Sequence, residues 1–291
     1  MKKIILVKSI LLPTDFSKNS MNAIDYAMEL YKDIPCEFYI INIQKASSFV
    51  SDDLMMMSST ATIYQTLIAA AKKSIKNIIH NIESKYANKL HSFHSIVDYD
   101  NFIDGINQIC EIKAIDLIIM GTKGAAGAEK MLFGSNTVHV MQRCNVNVLA
   151  IPNGCQFEGL DAVAFTSNYS SIFKDEELLT LVDIIKLYDS ELNVLHLSDE
   201  DYLSESHNQI TKLLDSSFGK IKHQFIDIDG KEVFKAIHDY IETNNIKMLT
   251  MMNRKHSFLE RLFTKHLFET FGFKIDIPFL VMKNTQKTSE N

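Results

Sequence analysis

The sequence predicts an α/β fold built from two similar domains in tandem. Short apolar segments alternate with amphipathic helical segments, and the second half repeats the order of the first. The 291 residues are enough for two domains of ordinary size. Alternating strands and helices favour a mostly parallel sheet with helices on both faces. We therefore expect one such sheet of five strands in each half.

The first two strands and the helix between them occur twice. The segment Ile10-Leu-Leu-Pro-Thr-Asp-Phe-Ser17 is a strand and a turn, followed by an amphipathic helix that ends at Tyr31. Residues 162–188 have the same outline and also end in a tyrosine. The next strand, Glu37–Ile43, has its counterpart in Glu191–Leu197. This repetition predicts that each half is one complete domain.

The remaining strands recur in the same order, and they set the predicted domains at 1–153 and 154–291. The first domain carries an insertion within 46–92, whose Met-rich part is expected either to face the core or to cover a site as a flap. The paired strand segments are His94–Phe102 and His223–Lys231, Asp116–Gly121 and Lys247–Met252, and Val146–Ile151 and Ile277–Met282.

The stretch from Asp116 to Thr137 has the pattern of a phosphate site. An apolar strand runs into Gly121 and Gly124, and after nine residues Gly134 and Ser135 open a helix. Glycine permits a positive φ and leaves backbone N–H groups accessible, and the N-terminus of a helix attracts anions. The loop has neither the Gly-Lys-Ser/Thr of a Walker A motif nor Gly-x-Gly-x-x-Gly. The sequence therefore supports neither a GTPase or kinase-like protein nor a dehydrogenase.

The spacing Gly-x-x-Gly, nine residues, Gly-Ser resembles the nucleotide-binding motif of the universal stress protein family. The resemblance extends to Ile10–Ser17 and to Asn145–Pro152, which are similar to the first and last strands of that family. It implies two tandem universal-stress-protein-like domains of the adenine nucleotide alpha hydrolase-like fold. It also implies ATP as the ligand, with Mg²⁺ or Mn²⁺ as the accompanying ion.

The resemblance assigns roles to individual residues. Pro13, Thr14 and Asp15 would contact adenosine, and Ile43, placed after the second strand, would contact the base. The floor of the pocket and the phosphate contacts would come from Met120, Gly121, Gly124, Gly134, Ser135 and Asn136.

Simpler structural roles remain open for the same residues. Asp15 could cap the following helix, because aspartate is favoured at that position. The glycines could be turn or close-packing residues of any α/β protein. Ser135 and Thr137 could be helix caps whether or not a nucleotide binds.

The second half lacks the glycine motif. Met252 stands in the place of Gly121, and Asn168 in the place of Asp15. Lys255 replaces Gly124, and Lys265 and His266 replace Gly134 and Ser135. Because side chains fill the positions that phosphates need, we expect residues 154–291 to bind no nucleotide. The basic cluster at 254–266 is either an anion site or a solvated surface.

Composition narrows the classes of function. A formal net charge of −6 argues against nucleic acid as a partner, and no apolar run reaches the roughly 18 residues of a membrane helix. The four cysteines show no Cys-x-x-Cys spacing, which predicts reduced thiols in a cytoplasmic protein. No nucleophile and base pattern is visible. We therefore expect a nucleotide-binding regulatory protein and not an enzyme.

Two alternatives remain at this point. One is a slow ATPase or phosphotransferase, and the other is a structural interaction protein that binds AMP or no nucleotide. The resemblance also implies that the two domains pack through their final strands as a pseudo-dimer within the chain, with a homodimer of tandem chains as a further possibility. An unidentified protein partner is expected, which the sequence does not name.

Overall fold

The computed structural model describes residues 7–44, 60–99, 101–123, 133–167, 173–197, 204–228, 233–253 and 276–284. The first half contains β1 (Lys8–Pro13), α1 (Lys18–Leu30), β2 (Cys36–Gln44), α2 (Thr60–Tyr86), β3 (His91–Tyr99), α3 (Phe102–Ile112), β4 (Leu117–Gly121), α4 (Ser135–Arg143) and β5 (Asn147–Ile151). The second half contains β6 (Ala162–Ser167), α5 (Asp175–Tyr188), β7 (Glu191–Leu197), α6 (Ser204–Phe218), β8 (His223–Ile228), α7 (Val233–Thr243), β9 (Met248–Met252) and β10 (Phe279–Met282).

The strands form one continuous sheet in the part of the chain that the structure describes. Its ten strands follow the order β3-β2-β1-β4-β5-β10-β9-β6-β7-β8. All the described pairings within each half are parallel. The second half thus repeats the strand order of the first in the opposite direction across the sheet. The predicted α/β fold, with two mostly parallel five-stranded halves, is confirmed.

The two halves meet through their final strands. β5 and β10 pair antiparallel, with Leu149 opposite Leu280 and Val148 opposite Val281. This confirms the predicted pseudo-dimer within the chain. The domain boundary between residues 153 and 154 stays a prediction, and it falls in the connection between β5 and β6.

The core has two layers, one on each face of the sheet. Along β1, Ile10 and Leu12 face one layer and Leu11 faces the other, and all three side chains are fully buried. Side chains of α1, α2, α5 and α6 complete the first layer, and those of α3, α4 and α7 complete the second. Burial on both faces explains why the central strands are continuously apolar and do not alternate with polar residues.

The local sequence of helix α3 determines which face is buried and where the helix begins. Ile103, Ile106 and Cys110 are buried at spacings of three and four, which places them on one face of the helix. The side chain of Asn101 caps the helix by accepting from Ile103 N, at 3.1 Å.

Part of the predicted insertion is a longer helix. α2 has 27 residues, whereas its counterpart α6 has 15. The Met-rich part of the insertion lies outside the described residues. Within the described ranges, no helix combines the length and the apolar character that a membrane span requires.

Candidate ligand site at the carboxyl ends of the strands

The sheet brings the turn after β1 next to the start of the glycine loop. β1 and β4 are parallel neighbours, with Ile10 paired to Leu117. Thr14 and Gly121 each lie four residues further along, so the carboxyl ends of the two strands are level. In open parallel sheets this edge is where ligands bind. The sequence prediction that these two segments meet is therefore matched by the register of the strands.

Thr14 builds the turn with hydrogen bonds from both backbone and side chain. Its N–H donates to Ile41 O at 2.8 Å, and its carbonyl accepts from Asn42 Nδ2 at 2.7 Å. The buried hydroxyl is 2.9 Å from Ser20 Oγ and accepts from Phe16 N at 3.0 Å. These bonds hold Phe16 at a φ of 65°, a left-handed conformation that costs about 1–2 kcal/mol for an L-residue. Thr14 therefore positions the turn.

Asp15 lies exposed at the tip of this turn. Its Oδ1 accepts from Ser17 N at 3.1 Å. The N-cap of α1 is Ser17, whose Oγ accepts from Ser20 N at 3.2 Å. The alternative that Asp15 caps the helix is therefore wrong. The carboxylate stands at the ligand edge of the sheet, and its contact with a nucleoside stays a prediction.

The two ends of the glycine loop are joined to each other. Gly134 N donates to Thr122 O at 2.7 Å, and Thr137 Oγ1 donates to Gly121 O at 2.9 Å. Thr122 N in turn donates to Ile151 O at 3.0 Å, which continues the ladder between β4 and β5. The amino end of α4 is consequently fixed against the carboxyl end of β4. Gly124 and the middle of the loop lie outside the described residues.

The first turn of α4 is exposed at the carboxyl ends of the strands. Gly134 is the N-cap, with φ −68° and ψ 155°, and it has no side chain with which to cap the helix. Ser135 and Asn136 follow and are exposed. The expectation that Ser135 or Thr137 caps this helix is wrong, because Thr137 is buried and bonds to β4 instead. Backbone N–H groups at such a helix end are donors for an anion.

Gly121 is required by close packing. A Cβ at this position would lie 2.7 Å from Asn19 Nδ2 and 3.0 Å from Asn19 O. Neither Gly121 nor Gly134 has a positive φ, so the predicted left-handed backbone is absent at both. The close-packing alternative therefore holds for Gly121. The absence of a side chain lets the first turn of α1 approach the end of β4.

Asn19 is a residue of this edge that sequence reasoning missed. It is buried in the first turn of α1, and its Nδ2 donates to Lys123 O at 2.5 Å. Its Oδ1 is buried and has no hydrogen-bond partner in the described structure. A polar residue two positions after a helix cap is a common surface feature, so nothing in the sequence singled it out.

Ile43 and Met120 belong to the second core layer. Ile43 lies inside β2, one residue before its end, and is half-buried. The sequence had placed it after that strand. Met120 is buried and precedes Gly121 at the end of β4. Pro13, the last residue of β1, is also buried. Pro13, Ile43 and Met120 therefore lie beneath the candidate site and not on its exposed surface.

The corresponding edge of the second half is closed by a side chain. β9 ends at Met252, which is buried at the position that Gly121 has at the end of β4. The other replacements, Asn168, Lys255, Lys265 and His266, lie outside the described residues. Loss of nucleotide binding by this half stays a prediction.

The fold and this edge define an α/β protein whose first half places the amino end of a helix beside the carboxyl ends of parallel strands. Residues 7–152 match the family model described as the universal stress protein family. The chain belongs to the universal stress protein family.

Similar proteins agree with this assignment. A universal stress protein of Methanocaldococcus jannaschii is 29% identical over 151 residues, which are 50% of this chain and 82% of that protein. Universal stress protein A homolog 1 of Coxiella burnetii is 24% identical over 144 residues, 50% of this chain and 95% of that protein. The crystal structure of a universal stress protein from Archaeoglobus fulgidus covers 95% of this chain and 96% of its own, with a TM-score of 0.62 at 19% identity. The fold is therefore shared over both halves.

Proposed function

We propose that the first half binds ATP and that its occupancy regulates the interaction of this chain with a protein partner in the cytoplasm. The observation that carries the proposal is the juxtaposition of the Thr14–Asp15 turn with the open amino end of α4. Hydrogen bonds across the base of the glycine loop fix α4 against the end of β4, and β4 is the parallel neighbour of β1, which leads into that turn. The family assignment adds support, since the glycine spacing resembles the family's nucleotide motif.

The proposed ligand follows the chemistry of this edge. The exposed Asp15 carboxylate would accept hydrogen bonds from ribose hydroxyls or from the base. Pro13, Ile43 and Met120 would form the apolar floor beneath the adenosine. The phosphates would lie at Gly124, Gly134, Ser135 and Asn136, where the dipole of α4 favours negative charge. Ser135 and Asn136 would donate their backbone N–H groups, since that of Gly134 is bonded to Thr122 O. Mg²⁺ or Mn²⁺ would accompany the phosphates.

Regulation would follow from linkage. A ligand that binds only one conformation stabilises it, so ATP would change the surface that is offered to a partner. The protein would act as a nucleotide-binding regulator, and any hydrolysis would be slow, because the described edge has Asp15 and Ser135 but no second carboxylate placed beside them.

Calorimetric titration with ATP and Mg²⁺ tests the site. We expect one site per chain, and we expect Gly134→Val to weaken binding at least tenfold. A lost charge-assisted hydrogen bond costs about 1.5–3 kcal/mol. Gly134→Ala is the matched control, because the φ and ψ of Gly134 suit any residue and the methyl group is smaller. Binding within threefold of the parent by the valine variant would show that the loop is structural.

A second pair of variants tests the nucleoside contact. Asp15→Asn should weaken both ATP and adenosine, whereas Asp161→Asn should weaken neither, since Asp161 is also exposed but precedes β6, which four strands of the sheet separate from β1. Mass spectrometry of the ligand that co-purifies separates ATP from AMP. Release of ADP at a rate of several turnovers per minute would replace the regulatory proposal with an ATPase.

A further inference from the structure

A cavity of about 600 Å³ lies between the two halves, at the edge of the sheet opposite the candidate nucleotide site. It is lined at the amino ends of the strands by Lys8 of β1 and by Asp116 and Leu117 at β4. Ile184 and Leu187 of α5 close it from the second half. The cavity therefore exists only because the two halves are packed together.

The pseudo-symmetry of the chain shows what this space is suited to hold. Tyr31 and Tyr188 occupy equivalent positions in the two halves. Tyr31 directly follows α1, the first helix of its half, and Tyr188 is the last residue of α5, the first helix of the other. Tyr26 and Asp183 lie five residues before them, so they are equivalent as well. The cavity is lined by Tyr31 and Asp183. Its symmetry-related position must therefore lie between Tyr188 and Tyr26.

That related position is filled by an aromatic ring. Phe157, in the connection between β5 and β6, packs 5.4 Å from Tyr26 and 5.2 Å from Tyr188, measured between ring centroids. Asn22 Nδ2 anchors the connection by donating to Pro152 O at 3.2 Å and Cys155 O at 3.0 Å. A single chain has only one connection between its halves. It can fill one of the two related spaces, and the other remains as the cavity.

The polar groups at the cavity select the charge of an occupant. Lys8 and Asp183 neutralise each other in an ion pair of 2.7 Å, and Asp116 accepts from Ser9 N at 2.8 Å. Asp33 makes no ion pair or hydrogen bond with any described residue, although it lines the cavity. With Lys186 as the remaining cation, the lining carries three carboxylates and two ammonium groups. The net charge of the lining is negative.

We propose that this cavity is a binding site for a small organic cation with an aromatic ring. The ring would take the place that Phe157 takes in the related space, and the ammonium group would pair with Asp33 at the mouth. Because the walls come from both halves, the ligand would stabilise the packed arrangement of the two halves. The site is independent of nucleotide binding at the opposite edge.

The phenol of Tyr31 adds a donor to this site. Burial, and then the negative charges that Cys36, Asp183, Tyr188 and Asp116 can carry, raise the pKa of Tyr31. The hydroxyl stays protonated at neutral pH, so it can donate a hydrogen bond to a polar group on the ring of an occupant.

Single-tryptophan reporters test the proposal with phenethylamine as the probe, since the chain contains no tryptophan of its own. Leu90→Trp places the reporter in the lining of the cavity, where Leu90 is 45% exposed. The matched control is Leu179→Trp, on α5 but outside the lining, where the leucine is 54% exposed. We expect a saturable change in emission for the first variant only. Phenylacetate, with the same ring and the opposite charge, and butylamine, without the ring, should both bind more weakly.

The charge of the mouth is tested in the Leu90→Trp background. Asp33→Asn should weaken phenethylamine about threefold, the effect of one partly exposed charge, and Asp161→Asn should have no effect. Equal responses from the two reporters would overturn the proposal. So would phenylacetate binding as tightly as phenethylamine, or equal affinity in the two asparagine variants. Calorimetry on the unmodified chain with the three probes gives the same ranking if the Leu90→Trp protein does not fold.

Discussion

Gly121 is a close-packing residue at the edge of the sheet where the candidate site lies. Its missing side chain admits Asn19, which then bonds to Lys123 O in the glycine loop. The sequence motif predicts that this glycine contacts a phosphate, whereas the structure shows that its lack of a side chain lets α1 pack closely against β4. The packing of α1 on β4 and the position of the start of the glycine loop therefore depend on the same contact between Gly121 and Asn19.

Replacing Gly121 with alanine should destabilise the protein by about 1–3 kcal/mol, because a Cβ 2.7 Å from Asn19 Nδ2 must displace that side chain. The free energy of unfolding in urea measures the loss. A cycle with Asn19→Ala is the control: the double variant should lose less than the sum of the single losses. Additivity within about 0.5 kcal/mol would show that the two residues do not clash.

The thiols give a prediction about pH. Burial, reinforced by the carboxylates of Glu158 and Asp276, raises the pKa of the half-buried Cys155 to about 11. An ordinary thiol has a pKa near 8.5. Only the thiolate is nucleophilic, so alkylation of Cys155 should rise about tenfold per pH unit and continue to rise well above pH 8.5.

Peptide mass spectrometry after brief iodoacetamide treatment measures this rate. The buried thiols of Cys36, Cys110 and Cys144, whose pKa values burial raises to about 12, should react more slowly than Cys155. A rate for Cys155 that levels off near pH 8.5 would contradict the prediction.

Strand β5 is the element that joins the halves. It pairs in parallel with β4 on one side and antiparallel with β10 on the other. Val148 lies within both pairings, opposite Ile118 and Val281, and is buried. A central strand of this kind has no solvent-facing edge that would tolerate a missing N–H.

Val148→Pro should therefore loosen the contact between the halves and lower the free energy of unfolding by at least about 2 kcal/mol more than Val148→Ala does. The alanine variant also loses packing but keeps its N–H, so the difference reports the strand ladder. Urea unfolding measures stability, and X-ray scattering measures the radius of gyration. An unchanged scattering profile, together with equal stabilities of the proline and alanine variants, would show that the β5 ladder does not hold the halves together.

Both core layers extend across the two halves in the part of the chain that the structure describes. The first contains Ile10 and Leu30 from one half together with Phe165 and Leu181 from the other. The second is likewise shared across the sheet. Because each core layer is continuous across the joint between the halves, the two halves should lose their structure together.

Calorimetry should accordingly show one unfolding transition whose van't Hoff and calorimetric enthalpies agree. Phe157→Ala, which removes a ring packed between the first helices of the two halves, should lower the midpoint of the transition without splitting it. Two well-separated transitions in the parent protein would mean that the halves are independent.

The resemblance to the universal stress protein family predicted that the halves join through their final strands. The sequence by itself determined the class of fold and the repetition of the unit. These features depend on apolar patterning and on recurrence, which act locally along the chain and are visible in it. It also indicated the segments of the candidate site, because the spacing of the glycines after the strand resembles the nucleotide motif of the family. Nucleotide binding at that site remains to be tested.

Only the tertiary structure decided the features that depend on distant contacts. The structure shows that Gly121 is needed for close packing against Asn19. It also shows that Ser17 caps α1 and that Thr137 bonds α4 to β4. It also revealed the cavity between the halves. Such contacts join residues far apart in sequence, and the space left beside Tyr31 exists only because one connection cannot fill two symmetry-related positions.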